Sequence, residues 1–305
     1  MPFPIPNRSF TAALTAGVLV LALAACTPPN APSTGASPAA TSGLPGTHIH
    51  GLTVSGDSSQ VLMATHDGLF DVTKEPAMKI GATNDLMGFT PGKDQGSFYA
   101  SGHPGPGSDL PEPLGLMKSS DGGKTWEPLS RQGESDFHAL TTTRSGIIAY
   151  DAELRTSPDG KTWKTVAAGF APAALAGHPD SDTVLATTQE GVQRSTDGGN
   201  TWTLQKQAPV IQFATFPRPT EAVGVEPDGT VHYSSDADAG ATWTRKGRID
   251  GQVQAIAAAK GADGNLSVWA ATAEGVLVST DGGATAEGVL VSTDGGATFR
   301  SANAS

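Results

Sequence analysis

Histidine is the residue type with the widest chemistry in this chain, because an imidazole can bind a metal ion or relay a proton near pH 7. The sequence contains seven histidines. Five of them lie in its first half: His48, His50, His66, His103 and His138. Several imidazoles around one pocket favour a transition metal, copper or zinc, and Met87 would add a soft ligand for copper.

Carboxylates in the same part of the chain offer a different chemistry. A glycosidase needs two carboxyl groups on either side of the bond that it cleaves, about 5 to 10 Å apart. Asp67, Asp136 and Asp151 are the candidates for acid and base, and the histidines would then position the substrate. Further acids are expected near them at Asp85, Glu134, Glu153 and Glu190.

The elements that must position these side chains are indicated by a phrase that recurs five times. Its copies are SSDGGKTW (119–126), SPDGKTW (157–163), STDGGNTW (195–202), SSDADAGATW (234–243) and STDGGATF (292–299). The first four copies close on tryptophans at positions 126, 163, 202 and 243. Their spacing of about 40 residues is typical of one four-stranded propeller blade. We therefore predict an all-β fold, a β-propeller of six blades with seven as the alternative.

Short apolar runs separated by Gly, Asp, Pro and Ser divide the chain into strands from residue 47 to residue 301. The predicted blades span about 47–82, 83–131, 132–168, 169–208, 209–249 and 250–301, each with strands A to D from the centre outward. The starts of A strands and the ends of B strands emerge on one rim, here called the top face. The five histidines and Met87 are therefore expected on the top face of three adjacent blades, whereas His178 and His232 lie elsewhere.

The recurring phrase is typical of a hairpin turn. Its Ser and Asp side chains can bond nearby backbone N–H groups, its glycines permit positive φ, and its closing aromatic can pack between blades. These residues resemble the Asp-box, or BNR repeat, of sialidase-like propellers. The resemblance implies structural aspartates, on the face opposite the usual active site, at Asp121, Asp159, Asp197, Asp236 and Asp294.

A narrower resemblance covers the N-terminal half of the predicted propeller. HIHGL (48–52), ATHDGLF (64–70), MGF (87–89), SGHP (101–104) and DFHAL (136–140) are similar to bacterial secreted Asp-box proteins labelled glycosyl hydrolase-like or sialidase-like. That label follows from the fold and establishes no reaction. Sialidases hold the substrate carboxylate with three arginines, one of them in the first blade. This chain has no arginine between Arg8 and Arg131, which argues against cleavage of sialic acid.

The segment 1–25 is predicted to be a lipoprotein signal peptide. Arg8 precedes an apolar run that ends in Leu-Ala-Ala-Cys, and this ending resembles the bacterial lipobox, in which the cysteine is acylated. Cys26 is the only cysteine, and a plain signal peptide is the alternative. Residues 26–46, rich in Pro, Ser, Ala and Gly, are predicted to be a flexible tether. The chain is thus expected outside the cytoplasm, anchored to the bacterial membrane through Cys26.

The charge of the chain argues against one class of partner. Asp and Glu number 30 against 19 Lys and Arg, with no basic stripe, so nucleic acid is not an expected partner.

The segment Thr272–Ala284 is repeated letter for letter at Thr285–Ala297, and one copy is expected to bulge out of blade 6 or to pair as an extra edge strand.

These observations favour an envelope lipoprotein that binds a ligand on its top face, most directly a transition metal ion. A small molecule, a glycan or an envelope protein is also a candidate ligand. The five histidines would carry the binding, with Met87 beside them. A glycoside hydrolase and an assembly scaffold without a small ligand are the two alternatives.

Overall fold

The computed structural model describes residues 48–55, 59–73, 76–235, 239–261, 264–278 and 284–301. These residues form 24 strands in six four-stranded sheets and include no helix. The prediction of an all-β, six-bladed propeller is confirmed. None of the described residues belongs to a helix that is long and apolar enough to cross a membrane. The predicted signal peptide, the tether with Cys26, and Asp236 lie outside the described residues.

Each sheet contains four consecutive antiparallel strands and is one blade. The strands of blade 1 are β1 (Ile49–Val54), β2 (Val61–Thr65), β3 (Gly68–Asp71) and β4 (Met78–Ile80). Those of blade 2 are β5 (Asn84–Pro91), β6 (Phe98–Pro104), β7 (Leu116–Ser119) and β8 (Glu127–Ser130). Those of blade 3 are β9 (Ala139–Thr143), β10 (Gly146–Tyr150), β11 (Leu154–Ser157) and β12 (Lys164–Val166).

The second half of the propeller repeats this order. Blade 4 has β13 (Ala174–Ala176), β14 (Val184–Thr188), β15 (Gly191–Ser195) and β16 (Thr203–Leu204). Blade 5 has β17 (Phe213–Arg218), β18 (Glu221–Val225), β19 (Thr230–Ser234) and β20 (Thr244–Arg248). Blade 6 has β21 (Val253–Lys260), β22 (Leu266–Val278), β23 (Ala284–Ser292) and β24 (Arg300–Ser301).

Apolar side chains between neighbouring blades hold the ring closed. The central strands β1 and β21 contact each other, so the first blade meets the last. Buried Ile49 and Met63 of blade 1 pack in one cluster with Ala255 and Trp269 of blade 6. Because all four strands of each blade are consecutive in the chain, this apolar contact rather than a shared strand joins the two ends of the propeller.

The recurring phrase forms the turn between the two outer strands of a blade. In the first copy the Ser119 hydroxyl accepts the Gly123 N–H at 2.9 Å and donates to Asp121 Oδ1 at 2.9 Å. The Thr125 N–H and hydroxyl donate to the two carboxylate oxygens of Asp121 at 3.0 and 2.6 Å. The closing Trp126 packs against a cluster that spans blades 1 and 2, as predicted.

The duplicated segment lies in one hairpin of blade 6. The first copy extends β22 past Thr272, and the second copy supplies most of β23, with Val276 opposite Ala286 and Val278 opposite Ala284. The expected extra edge strand is not formed, since the described strands of this sheet number four.

The six central strands enclose a channel of about 460 Å³. His50, Met87 and His138 line its mouth on the top face, and His178 lies among the residues at the other end of these strands. The walls of the channel combine small and apolar residues, for example Ala174, with polar ones such as Thr141 and Lys93. His50 and His138 are therefore the imidazoles at its top mouth.

Candidate metal centre

Three histidines of blade 1 are brought together by a bulge and a tight turn. Ile49 pairs with Thr65 and Gly51 pairs with Ala64, so His50 is an extra residue in β1. A bulge redirects a side chain out of the regular alternation of a strand. His48 directly precedes β1, and His66 begins the two-residue turn between β2 and β3. All three side chains therefore start from the top end of one hairpin.

The three imidazoles converge on one point. The ring centroid of His50 lies 4.9 Å from that of His48 and 4.4 Å from that of His66, and His48 and His66 are 5.7 Å apart. One ligating nitrogen of each ring lies within 4.8 Å of the other two. His50 Nε2 and His66 Nδ1 are separated by only 3.3 Å. His50 and His66 are thus already at the spacing of two ligands of a single ion, and His48 lies a short movement away from them.

Asp85 of blade 2 completes this group. His66 Nδ1 donates to Asp85 Oδ2 at 2.7 Å, and His50 Nε2 lies 3.6 Å from Asp85 Oδ1. Asp85 Oδ1 is buried and accepts no hydrogen bond from the described residues. A buried acceptor without a donor costs about 1–3 kcal/mol. The group therefore offers more acceptors than the protein itself can satisfy.

His50 is held in the neutral form that metals require. Burial, with a smaller contribution from the neighbouring His66, lowers the pKa of His50 from 6.5 to about 4, although Asp85 acts in the opposite direction. At pH 7 the ring is uncharged, and one of its nitrogens carries a lone pair. Metal ions bind the neutral imidazole and compete with protons for it, so this environment favours metal binding near neutral pH.

A second group lies beside the first and joins blades 2 and 3. His138 Nε2 donates to Asp136 Oδ2 at 2.5 Å, and His103 Nε2 lies 3.2 Å from the same oxygen. His103 Nδ1 donates to Glu112 Oε1 at 2.5 Å. This hydrogen bond raises the pKa of His103 above 6.5, and the charge of Asp136 adds to the effect. Asp136 Oδ1 is buried without a hydrogen-bond partner in the described part of the chain.

The structure thus divides the five top-face histidines into two groups. His48, His50 and His66 form one group, in which His50 and His66 lie beside Asp85, whereas His103 and His138 share Asp136. Met87 lies in the central strand of blade 2 and lines the channel mouth together with His50 and His138. The other two histidines bond locally and away from these groups, His178 to the backbone N–H of Asp180 and His232 to Glu226.

The three candidate catalytic acids do not converge in the same way. Asp136 lies between two imidazoles at the mouth, as described above. Asp151 is nearly buried and bonds the Arg155 guanidinium at 2.9 Å and the Ser135 hydroxyl at 2.5 Å. Asp67 is exposed in the turn after His66, and its backbone N–H bonds the Thr65 hydroxyl. Only Asp136 of these acids contacts the histidines that were predicted to bind.

Sequence reasoning missed Glu112. It lies in the loop 105–115 between β6 and β7, a Gly- and Pro-rich segment without strand periodicity. The loop folds back so that Glu112 reaches His103, which precedes it in the same blade. The signal available for Asp85 was stronger, because Asp85 and His103 are direct partners across β5 and β6. Register can be inferred from strand pattern, but the path of an irregular loop cannot.

Comparisons with known proteins agree with the fold. No protein-family model matches the sequence, and no curated protein matches it. Among solved structures, a GH74 enzyme of Niastella koreensis is similar over 85% of this chain and 38% of the enzyme, with 16% identity and a TM-score of 0.52. The chain therefore spans well under half the length of that enzyme. A structure of YCF48 bound to a D1 peptide is similar over 84% of this chain and 81% of its own, with 15% identity and a TM-score of 0.48.

Identities this low establish a shared fold and nothing about activity. The fold and the site together define a six-bladed β-propeller whose top mouth carries two groups of imidazoles and carboxylates. Such a site can bind a cation, move protons, or orient a polar ligand.

Proposed function

We propose that the protein binds a transition metal ion, zinc or copper, with His48, His50, His66 and Asp85. The observation that carries the proposal is the convergence of three imidazoles whose ligating nitrogens lie within 4.8 Å of one another. Imidazole is the commonest metal ligand among side chains. Three imidazoles and one carboxylate fit both zinc and copper.

The distances support a tetrahedral arrangement. Two ligand atoms that each lie about 2.1 Å from a tetrahedral ion are about 3.4 Å apart. His50 Nε2 lies 3.3 Å from His66 Nδ1 and 3.6 Å from Asp85 Oδ1. Binding would displace the proton that His66 shares with Asp85, and only His48 would need to move closer.

The charge of the mouth favours a cation over an anionic ligand. Asp85, Glu112 and Asp136 lie against the histidines there. His50 is neutral at pH 7 because its pKa is lowered to about 4. The chain as a whole has a net charge of −11. Local and global fields therefore both attract divalent cations to the channel mouth.

Metal content measured by elemental mass spectrometry tests this proposal. The full chain is purified without a histidine tag and with Cys26→Ser, so that a free thiol cannot hold the metal. After dialysis against Zn²⁺ or Cu²⁺ and then against buffer, we expect at least one equivalent per chain. The triple variant His48→Ala/His50→Ala/His66→Ala should lose one equivalent.

The double variant His178→Ala/His232→Ala is the matched control, since it also removes imidazoles but leaves the top face intact. It should retain the full metal content. A protein that binds no metal after this treatment, or whose triple variant binds as much as the parent, would contradict the proposal.

Met87 provides a test of which metal is preferred. A thioether is a soft ligand that favours copper, above all Cu(I), and contributes little to zinc. If the bound metal is copper, Met87→Leu should weaken Cu(I) binding while Zn²⁺ binding stays unchanged. Equal effects on both ions would indicate that Met87 only packs at the channel mouth.

A glycoside hydrolase is the weaker candidate, and an assembly scaffold is the third. The turn hydrogen bonds around Asp121, repeated around Asp197 and Asp294, support the resemblance to Asp-box, sialidase-like propellers. That resemblance concerns shape, and the guanidinium held by Asp151 leaves few free acids for a catalytic pair. Metal-free protein that hydrolyses members of a glycan panel would reverse this ranking.

We also propose that the protein is anchored to the outside of the cytoplasmic membrane. A lipid on Cys26, followed by the tether, would hold the propeller outside the membrane within reach of metal ions in the cell envelope. Mass spectrometry of the mature N-terminus should find an acylated cysteine at position 26. Cys26→Ser should release the protein from the membrane fraction, and unchanged membrane association would contradict the anchor.

A further inference from the structure

We propose that the top face holds a second metal position beside the first, with His103, Asp136 and His138 as its ligands. This inference rests on the proposed function, because it assigns a second ion to the same mouth. It arises from a separate set of contacts, since no ligand is shared between the two groups. The two positions would make the mouth a two-metal site.

Glu112 orients His103 for such a role. Its Oε1 accepts the Nδ1–H of His103 at 2.5 Å, and His103 Nε2 then faces Asp136. A ligating histidine commonly donates its other ring N–H to a carboxylate, which fixes the ring and strengthens the ligand. Glu112 is thus a positioning residue, reached through the loop 105–115.

The two carboxylate oxygens of Asp136 differ in their contacts. Oδ2 is near both imidazoles, 2.5 Å from His138 Nε2 and 3.2 Å from His103 Nε2. Oδ1 is buried and has no hydrogen-bond partner among the described residues. An ion-pair network alone explains the contacts of Oδ2 but leaves Oδ1 unsatisfied. A cation bound by the Asp136 carboxylate and the two imidazoles would supply the partner that Oδ1 lacks.

The two positions lie close together because they share one hairpin. Asp85 of the first group and His103 of the second are opposite partners on β5 and β6. The Cβ atoms of such partners are about 4.5–5.5 Å apart. Asp85, Asp136 and Glu112 together bring three negative charges to the mouth, enough to offset most of the charge of two divalent ions.

Metal stoichiometry separates this inference from the proposed function. The full chain carrying Cys26→Ser, without a histidine tag, is saturated with Zn²⁺ or with Cu²⁺, dialysed and measured by elemental mass spectrometry. We expect two equivalents for this protein. We expect one equivalent for His103→Ala/His138→Ala and one for His48→Ala/His50→Ala/His66→Ala. The control His178→Ala/His232→Ala should keep two.

The outcomes are distinct. One equivalent that is lost in the triple variant and kept in His103→Ala/His138→Ala overturns the second position and leaves the proposed function intact. No bound metal overturns both. Circular dichroism and thermal melting check that each variant is folded. Should the His103/His138 variant not fold, Asp136→Asn removes the carboxylate with almost no change in size and should also reduce two equivalents to one.

The positioning role of Glu112 can be tested with a single variant. Glu112→Gln keeps a hydrogen-bond acceptor for His103 and should lower affinity at the second position about 10- to 100-fold, as expected of a residue that orients a ligand. It should leave the first position unchanged. Equal weakening of both positions, or of neither, would contradict the assignment of Glu112 as a positioning residue.

Discussion

The outer turns of the blades and the mouth of the channel both concentrate aspartates, but they satisfy them differently. In the turn at Asp121, each carboxylate oxygen accepts a hydrogen bond from Thr125, and Ser119 adds a further one. At the mouth, Asp85 and Asp136 each leave one oxygen buried without a donor in the described residues. Both carboxylate oxygens of Asp121 have donors, whereas at the mouth Asp85 and Asp136 each have one oxygen with no donor among the described residues.

This difference indicates what each region is for. A group whose bonds are completed within its own turn stabilises that turn and needs no ligand. An unsatisfied buried group is retained at a cost, and it is explained when an ion or a substrate supplies the missing interaction. The turn pattern also recurs around Ser195 and Ser292, as a repeated structural element should, while the mouth groups come from blades 1 to 3.

The largest expected effect comes from breaking a turn at its glycine. Gly123 has φ of 83°, and a Cβ there would clash with the buried side chain of Leu69. Gly123→Ala should destabilise the protein by about 2–5 kcal/mol, from the backbone conformation and the overpacking together. Chemical denaturation measures this change.

Gly122 of the same turn is the matched control. Its φ is 80°, but a Cβ would meet nothing within 4 Å. Gly122→Ala should therefore cost only about 1–2 kcal/mol. Both variants should bind as much metal as the parent. Loss of metal in either one would show that the turns and the mouth are not independent.

A smaller effect is expected in acid. Hydrogen bonds from Thr125 lower the pKa of Asp121 from 3.8 to about 2, and those from Thr298 do the same for Asp294. A carboxyl group whose pKa is lower in the folded state stabilises the fold above its unfolded pKa. That contribution is complete above about pH 4 and is lost as the pH falls towards 2.

Melting temperatures measured between pH 2 and pH 6 test this. The decline below pH 4 should be shallower in Asp121→Asn and in Asp294→Asn than in the parent. Asp109→Asn, at an exposed position of the loop 105–115, is the control and should keep the parent slope. Parallel slopes in all the variants would mean that the turn aspartates do not control acid stability.

The sequence contained most of the fold and part of the site. Four closing tryptophans at a spacing of about 40 residues were enough to predict blades. Each of them packs into a cluster between blades, for example Trp163 against Phe137 with ring centroids 5.0 Å apart. The ends of strands were enough to place His50, His66 and His138 on one face. Their separation into two groups depends on the bulge at His50 and on side-chain directions, which alternation alone does not give. Glu112 depends on a loop path that has no sequence period.

The smallest expected effect concerns one type of substitution, Asp to Asn, made in both regions. It should stabilise the metal-free protein at the mouth and destabilise it in a turn. Asp85 Oδ1 lies 3.6 Å from His50 Nε2 and accepts no hydrogen bond from the described residues. Asp85→Asn keeps an acceptor for His66 and places an N–H donor opposite His50. The metal-free protein should therefore gain about 0.5–1.5 kcal/mol in stability, while metal binding at the first position is lost.

Asp121→Asn places the same N–H group where Thr125 already donates, so that two donors face each other. This variant should be less stable than the parent and bind metal as the parent does. Thermal melts of both variants in the presence of a chelator, together with their metal content, complete the comparison. If Asp85→Asn destabilises the metal-free protein as much as Asp121→Asn does, the carboxylate at the mouth is a structural group like those in the turns, and the argument for a cation at that oxygen fails.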